Sequence, residues 1–379
     1  MKVFLSAILL ILLFSCSTAS EKKSELGKDI VIDLSEVSEN NLSSIFDSTR
    51  YILLEEDDQV PLVNFFKTIV TDKYVYVQDN NLHNIFKFDH LGRISSIIKS
   101  TGAGPTEFTQ IEDYQVINDT VIIRDNLLRK QIYLTDQGKF IRQYSSKNNA
   151  SNFYQGSDFN LFFLNGLGGV INKEFLRVSD SGAEEGFLDI DQNNPIIKVK
   201  LLHGFVQNER TKQLSITLPH SYEVAFFDSS GLFDRKINFD FLNIPITQVQ
   251  EKKYLQAKIV NAFFPFENFY YMNVFFQLTG YQIILNKNFE PTYIGKNLKN
   301  DLDGMSFYIL PVAYYKDFAI LYLHSTYIHN TYKHFEADIK ENYPDAPIHQ
   351  FIKDHESELT NDRHVLVYLR FKDSFYRKN

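Results

Sequence analysis

The feature that most constrains this chain is a short turn that recurs at nearly constant spacing. An aspartate at the end of a strand and a glycine shortly after it recur in FDHLG (88–92), TDQG (135–138), SDSG (179–182) and FDSSG (227–231). Successive glycines are 46, 44 and 49 residues apart. Aspartate accepts hydrogen bonds from the backbone of such a turn, and glycine takes the positive φ that closes it. Repeats of about 45 to 50 residues that each hold several short strands are typical of β-propeller blades.

The repeat length predicts an all-β fold, a six-bladed β-propeller that extends over residues 29–379. A fifth turn at 285–290 lacks glycine, but its asparagines tolerate left-handed backbone. Strands at 317–328 and 364–373 supply the sixth unit. An early strand, within 29–35 or 51–56, should pair with the last blade and close the ring, which removes exposed sheet edges.

Two short helical insertions interrupt the predicted strands. The first lies at about 247–261, where Thr247 and Gln250 can form a capping box. The second lies at 329–363, where the sequence PDAPIHQFIKDHE places Ile348, Phe351 and Ile352 on one helical face.

The N-terminus resembles a bacterial lipoprotein signal. Residues 1–16, MKVFLSAILLILLFSC, carry one lysine and an apolar run too short to span a bilayer stably. Cys16 is the only cysteine of the chain and stands where a lipobox cysteine is acylated, so no internal disulfide can form. The alternative is an ordinary secretory signal with an accidental cysteine. Residues 17–28 are small and polar, which suits a flexible tether between lipid and domain.

The segments YILLEEDD, DKYVYVQDN, FKFDHLGR and STGAGPTEF, within residues 51–108, resemble the opening of a lipoprotein family. This is the six-bladed β-propeller lipoprotein family abundant in Bacteroidetes-type bacteria. Its Gly-x-Gly-Pro-x-Glu-Phe/Tyr element corresponds here to Gly102, Gly104, Pro105, Glu107 and Phe108. The resemblance implies the propeller fold and a place in the cell envelope, without a settled activity.

The GAGPTEF loop is predicted to be a corner between blades. Gly102 and Gly104 permit unusual backbone angles, Glu107 can bond loop amides, and Phe108 can pack between blades. The alternative is a ligand-contacting, phosphate-cradling loop, but no Lys-Ser/Thr pair follows it. Glu107 is therefore also a candidate binding residue.

Candidate sites elsewhere are few. His324, His329 and His334 are five residues apart, which suits neither helical nor strand spacing for a metal, and no metal, cofactor or catalytic residue is predicted. The 34 Phe and 22 Tyr suit packing between blades, and the lack of Trp disfavours a sugar-stacking platform. Exposed tyrosines on the second insertion are the candidate ligand contacts: Tyr327, Tyr332 and Tyr343.

Two functions from different classes remain open. The favoured one is a non-catalytic outer-membrane lipoprotein, anchored through Cys16 on the periplasmic or the surface face, with the propeller as a binding or scaffold module. Its expected partners are an oligosaccharide or peptide ligand and an outer-membrane transporter or another lipoprotein. The alternative is a hydrolase or lyase with its site in the central channel, which clustered Asp, His or Arg would favour. The net charge of −8 argues against a nucleic-acid partner.

Overall fold

The computed structural model describes residues 27–375 except 39, 58, 100–101, 170, 191–200, 220, 245–259 and 277–278. The described strands form six sheets arranged as the blades of a propeller, which confirms the predicted fold. The predicted signal peptide, most of the tether and nearly all of the 247–261 insertion lie outside the described residues.

Each blade holds four strands except blade 4, which holds five, and the first strand of each repeat is the innermost. Blade 1 is formed by β3 (Phe65–Val70), β4 (Val75–Asp79), β5 (Asn84–Phe88) and β6 (Ile94–Ile98). Blade 2 is formed by β7 (Asp113–Ile117), β8 (Thr120–Asp125), β9 (Lys130–Thr135) and β10 (Phe140–Ser145). Blade 3 is formed by β11 (Asn152–Gln155), β12 (Phe159–Phe163), β13 (Lys173–Ser179) and β14 (Glu184–Asp189). Blade 4 is formed by β15 (Val206–Gln207), β16 (Leu214–Thr217), β17 (Glu223–Phe227) and β18 (Phe233–Leu242). Blade 5 is formed by β19 (Ala262–Pro265), β20 (Tyr270–Phe276), β21 (Thr279–Leu285) and β22 (Pro291–Lys296). Blade 6 is formed by β23 (Pro311–Tyr315), β24 (Phe318–His324) and β25 (His364–Phe371) with an N-terminal strand.

That N-terminal strand, β2 (Phe46–Leu53), closes the ring as predicted. It pairs antiparallel with β25, from Phe46 opposite Phe371 to Leu53 opposite Val365. The preceding strand, β1 (Lys28–Asp33), pairs in parallel with β18 and adds a fifth strand to the outer edge of blade 4. Both pairings cover a sheet edge that would otherwise be exposed.

The recurring turn has the predicted chemistry in blades 1 and 4, whereas Thr135 and Ser179 take the place of aspartate as the side-chain acceptor in blades 2 and 3. In blade 1, Asp89 Oδ1 accepts hydrogen bonds from the N–H groups of Leu91 and Arg93 at 2.9 and 3.0 Å. Gly92 takes a φ of 85°, and the carbonyl oxygen of Leu53 would lie 2.2 Å from a Cβ atom there. Glycine is therefore required both for its backbone angle and for the close approach of β2.

The second insertion contains two helices on the end of blade 6. Helix α1 (Ser325–Asn342) begins directly after β24, so the predicted strand at 317–328 ends four residues early. Helix α2 (Pro347–His355) buries Ile348, Phe351 and Ile352, as predicted, with proline in its first turn. Among the described residues, no helix is long and apolar enough to span a membrane.

Short 3-10 helices at Leu42–Ser44 and Asp373–Phe375 complete the described elements. The core consists of apolar clusters between neighbouring blades. Phe108 of the GAGPTEF loop belongs to the cluster between blades 1 and 2, where it is 2% exposed.

Candidate functional site: the central channel

The inner strands enclose a cavity of about 730 Å³ in the central channel. The lining includes Val70 and Gln155, which are the last residues of inner strands. The helical insertion follows β24, at the end of the propeller where the inner strands begin. The cavity therefore lies toward the opposite end of the channel. Its wall is formed by residues of six chain segments: 67–70, 115–118, 153–157, 203 with 205–207, Phe264, and 313–314. Within this described lining, no side chain is a carboxylate or a guanidinium.

Blade 4 gives the cavity part of its width. Its inner strand β15 has only two residues, so the segment before it forms much of the wall on that side. Gly204 takes a φ of 58°, and a Cβ atom there would lie 2.8 Å from the Asn152 amide nitrogen. The glycine thus lets this segment approach blade 3, and the flanking residues His203 and Phe205 line the channel.

A buried ion pair joins the first three blades at the cavity wall. The Lys67 ammonium donates to Asp113 Oδ1 at 2.6 Å and to the Tyr114 carbonyl oxygen at 3.0 Å. Asp113 also accepts from the backbone N–H groups of Tyr114 at 2.9 Å and Phe153 at 3.0 Å. Lys67 is 6% and Asp113 is 1% exposed, so the pair needs these additional hydrogen bonds to offset desolvation.

Three consecutive blades place a glutamine on the cavity wall. The Gln155 backbone N–H donates to Gln115 Oε1 at 2.6 Å, and the Tyr133 hydroxyl donates to Gln155 Oε1 at 2.6 Å. Gln207 Nε2 donates to the Tyr154 hydroxyl at 2.7 Å. These bonds fix the orientation of uncharged amide groups around the channel.

His203 is the only histidine in the described lining of this cavity. Burial, together with the nearby Lys67 charge, lowers its pKa to about 3, against the opposing effect of a hydrogen bond to the Pro311 carbonyl. The ring is therefore neutral at physiological pH. Its Nε2 atom is buried and has no hydrogen-bond partner among the described residues.

Aromatic side chains form the wall on the side of blades 5 and 6. Phe264 packs against Tyr314, whose ring centroid lies 5.6 Å from that of Tyr271. A second cavity of about 410 Å³ lies beside the first and shares Val206 and Gln207 with it, as well as Phe264 and Tyr314. This outer cavity is charged: an ion pair between Arg210 and Glu267 is part of its lining.

The family of the chain follows from comparison with known proteins. A family model described as a 6-bladed beta-propeller matches residues 19–322, which is more than half of the chain. The chain belongs to this six-bladed β-propeller family. No protein with a curated description matches it.

Several solved structures are similar to this family member over much of its length. A protein from Bacteroides fragilis that is described as exported has a TM-score of 0.67 and 13% identity, with 91% of this chain and 100% of that chain covered. A Bacteroides vulgatus protein has a TM-score of 0.48 and 14% identity, with 86% and 97% covered. Virginiamycin B lyase from Staphylococcus aureus has a TM-score of 0.38 and 13% identity, with 66% and 73% covered. The first similarity shows the fold alone, and the two lower scores support no functional comparison.

The tyrosines of the second insertion lie at the other end of the propeller. Tyr327 is 43% exposed, donates to the Ser306 carbonyl oxygen at 2.6 Å, and lines a cleft of about 390 Å³ together with Tyr308. Tyr332 is only 3% exposed and its hydroxyl contacts His349 Nδ1 at 2.8 Å, so the expectation of an exposed ring is wrong there. Tyr343 is partly buried against the core at the end of α1.

Glu107 is part of the corner loop between blades 1 and 2. Its Oε2 atom accepts from the Gly104 N–H at 2.9 Å, and the Lys130 ammonium donates to the Gly104 carbonyl oxygen at 2.9 Å. A Cβ atom at Gly102 or Gly104 would lie 2.7 or 2.8 Å from that same oxygen. The contacts are those of a structural corner, and a ligand contact at Glu107 stays a prediction.

The channel residues were not predicted from the sequence, although a weak signal exists. DYQVI, NFYQG and FVQNE each place a glutamine in or at the end of the first strand of a repeat. First strands are innermost, so these glutamines converge on the channel. Lys67 and His203 have no comparable pattern. Among the described residues, no group of three or more His, Cys, Asp or Glu could hold a metal ion.

Proposed function

We propose that this protein is a non-catalytic lipoprotein of the cell envelope that binds a small uncharged polar ligand, a glycan or a peptide, in the central channel. The observation that carries the proposal is the lining of the cavity. Amide and aromatic side chains surround a space of about 730 Å³, a size typical of small-molecule sites.

The electrostatics of the cavity favour an uncharged ligand. The one ammonium group in the described lining, that of Lys67, is already neutralised by Asp113 at 2.6 Å. The low pKa of His203 keeps its ring neutral at physiological pH. A charged ligand would lose hydration in the channel without gaining an opposite charge that is free to pair with it.

The same lining supports a binding role over hydrolysis. Glycoside hydrolysis usually needs two carboxyl groups about 5 to 10 Å apart, and the described lining of the cavity has none. Asp113 lies behind the wall, with both carboxylate oxygens engaged in hydrogen bonds. His203 is a weak base, because its pKa of about 3 is far below the pH at which it would have to accept a proton.

The N-terminus supports the proposed location in the cell envelope. Cys16 follows an apolar run of signal-peptide length and lies outside the described residues. A lipid on Cys16 would anchor the domain to the outer membrane through the tether of residues 17–28. The similarity in fold to a Bacteroides fragilis protein described as exported is consistent with this location.

A membrane-anchored binding protein should deliver its ligand to another protein. We expect an outer-membrane transporter or a second lipoprotein as partner. The test is cross-linking of the tagged full chain in its native membrane, with identification of captured proteins by mass spectrometry. Capture of such a partner only when Cys16 is intact supports the proposal, and absence of a specific partner contradicts the scaffold part of it.

Ligand binding is tested by thermal shift of the purified full chain with neutral oligosaccharides and short peptides. Gln207→Leu removes an amide from the cavity wall, and Tyr327→Phe is the matched change at the distant cleft. A stabilising compound whose effect is lost only in Gln207→Leu supports binding in the channel. Turnover of a compound would contradict the non-catalytic role.

A further inference from the structure

The unused hydrogen-bonding groups of the channel cavity identify the class of ligand, an inference that rests on the proposed function. Lys67 has three N–H donors and two acceptors, Asp113 and the Tyr114 carbonyl, so one donor remains without a protein partner among the described residues. The Gln115 amide accepts through Oε1, and its NH₂ group has no partner there either. These two groups are free donors on the wall, where the Thr68 hydroxyl is also without a partner among the described residues.

Two acceptors line the same cavity. Because a proline carbonyl can only accept, the ring of neutral His203 must donate to Pro311, which leaves the other nitrogen, Nε2, as an unpaired acceptor. Gln207 donates through Nε2 to the Tyr154 hydroxyl and, at 3.4 Å, to the Lys212 carbonyl oxygen. Because the Lys212 carbonyl oxygen can only accept, the Gln207 atom that bonds to it must be the amide nitrogen Nε2. Gln207 Oε1 therefore remains a free acceptor.

Donors and acceptors are therefore mixed on one wall, and this mixture favours a neutral ligand over a charged one. A carboxylate could accept from Lys67 and Gln115, but its oxygens would face the lone pairs of His203 and Gln207. An ammonium group could donate to His203 and Gln207, but its N–H groups would face the donors of Lys67 and Gln115. A hydroxyl group accepts and donates through one oxygen, so a ligand rich in hydroxyls can satisfy all four groups. Each buried group left unpaired would weaken binding about 5- to 150-fold.

The remaining wall suits the apolar faces of such a ligand. Phe205, Tyr154 and Tyr314 offer ring surface beside the polar groups. Sugar rings combine equatorial hydroxyls at their edges with C–H groups on their faces, which matches a site of this composition. The volume of about 730 Å³ is within the range of sites that enclose a small ligand.

We propose that the channel cavity binds a neutral carbohydrate of a few sugar units, with Lys67 and Gln115 as donors and His203 and Gln207 as acceptors to its hydroxyl groups.

The test is isothermal titration of the purified full chain with neutral oligosaccharides that cover the common hexose, pentose and deoxyhexose linkages. Trigalacturonic acid and short alanine and glycine peptides are the matched acidic and peptide probes. We expect a neutral oligosaccharide to bind. His203→Phe should weaken it about tenfold, the effect of one lost hydrogen bond to a buried group, while His203→Gln retains part of the affinity. His334→Phe, at an exposed position of α1, should have no effect.

The outcomes separate this inference from the proposed function. Stronger binding of trigalacturonic acid than of every neutral sugar would overturn it, because charge would then select the ligand. Binding of a peptide that Gln207→Leu abolishes would leave the channel as a binding site and overturn the carbohydrate. Absence of binding by all three classes would overturn both. Circular dichroism of each variant without ligand establishes that it is folded.

Discussion

Replacing Asp113 by asparagine tests how far the channel wall depends on its buried ion pair. The asparagine keeps the shape of the side chain but removes the charge that balances Lys67. Both carboxylate oxygens accept from N–H donors, so the new NH₂ group must face a donor on one side or the other. Removing one partner of a buried pair typically costs about 3–5 kcal/mol, a large part of the 5–15 kcal/mol that stabilises a typical domain.

The chain offers a matched exposed pair as control. Lys73 and Asp119 also join blades 1 and 2, with Nζ and Oδ2 2.8 Å apart, but their side chains are 65% and 52% exposed. Asp119→Asn should cost at most about 1 kcal/mol, and asparagine tolerates the positive φ of 62° at that position. Urea unfolding followed by circular dichroism measures both variants.

The double variant of the buried pair completes the experiment. Lys67→Met combined with Asp113→Asn leaves neither charge unpaired, so its cost should fall short of the sum of the two single costs by about 2 kcal/mol. A cost of under about 1 kcal/mol for Asp113→Asn, or additivity within about 0.5 kcal/mol, would show that the two buried charges do not depend on each other.

Three further predictions test the pH response, the turn and the anchor. The pKa of His203 is lowered from 6.5 to about 3 in the folded protein, so on acidification the unfolded chain takes up a proton before the folded protein does. The free energy of unfolding should therefore fall as the pH is lowered from 6.5 to about 3, by up to about 1.4 kcal/mol per pH unit. His203→Gln should flatten this fall in urea midpoints measured from pH 4 to 7, and an unchanged slope, or the same flattening in His334→Gln, would contradict it. Gly92→Ala should cost about 1–3 kcal/mol more than Gly182→Ala, since φ is 85° and 83° but a Cβ atom meets Leu53 only at Gly92; equal urea midpoints would contradict this. Cys16→Ala should move the protein from the membrane to the soluble fraction, as measured by immunoblot, and retention in the membrane would contradict lipid anchoring.

The fold could be predicted because its signals are local. The side-chain acceptor and the glycine of each turn act within a few residues, as the hydrogen bonds of Asp89 and the φ of Gly92 show, and the spacing of the turns gives the size of a blade. Closure by β2 followed from the need to cover sheet edges. The pairing of β1 with β18 depends on contacts across more than 200 residues and had no local signal.

Helix α1 was missed because its first residues favour a strand. Thr326, Tyr327 and Ile328 are β-branched or aromatic, but Ile328 and Tyr332 are four residues apart on one helical face and both are buried. The same spacing explains why Tyr332 is in the core. The periodicity was available in the sequence, and the strand propensity of the first turn concealed it.

The channel site could not be assembled from the sequence. Gln115, Gln155 and Gln207 are ordinary strand residues until the ring brings them together. Lys67 and Asp113 are 46 residues apart in the sequence and form a buried pair only through the contact of blades 1 and 2. His203 lines the cavity only because β15 is short and Gly204 bends the chain before it.

The most direct test of the channel as the binding site is a crystal structure of the full chain with the best compound from the ligand screen. We expect electron density in the central cavity, with ligand atoms within hydrogen-bond distance of the Gln115 and Gln207 amides. Density at the cleft beside Tyr327, with an empty channel, would contradict it.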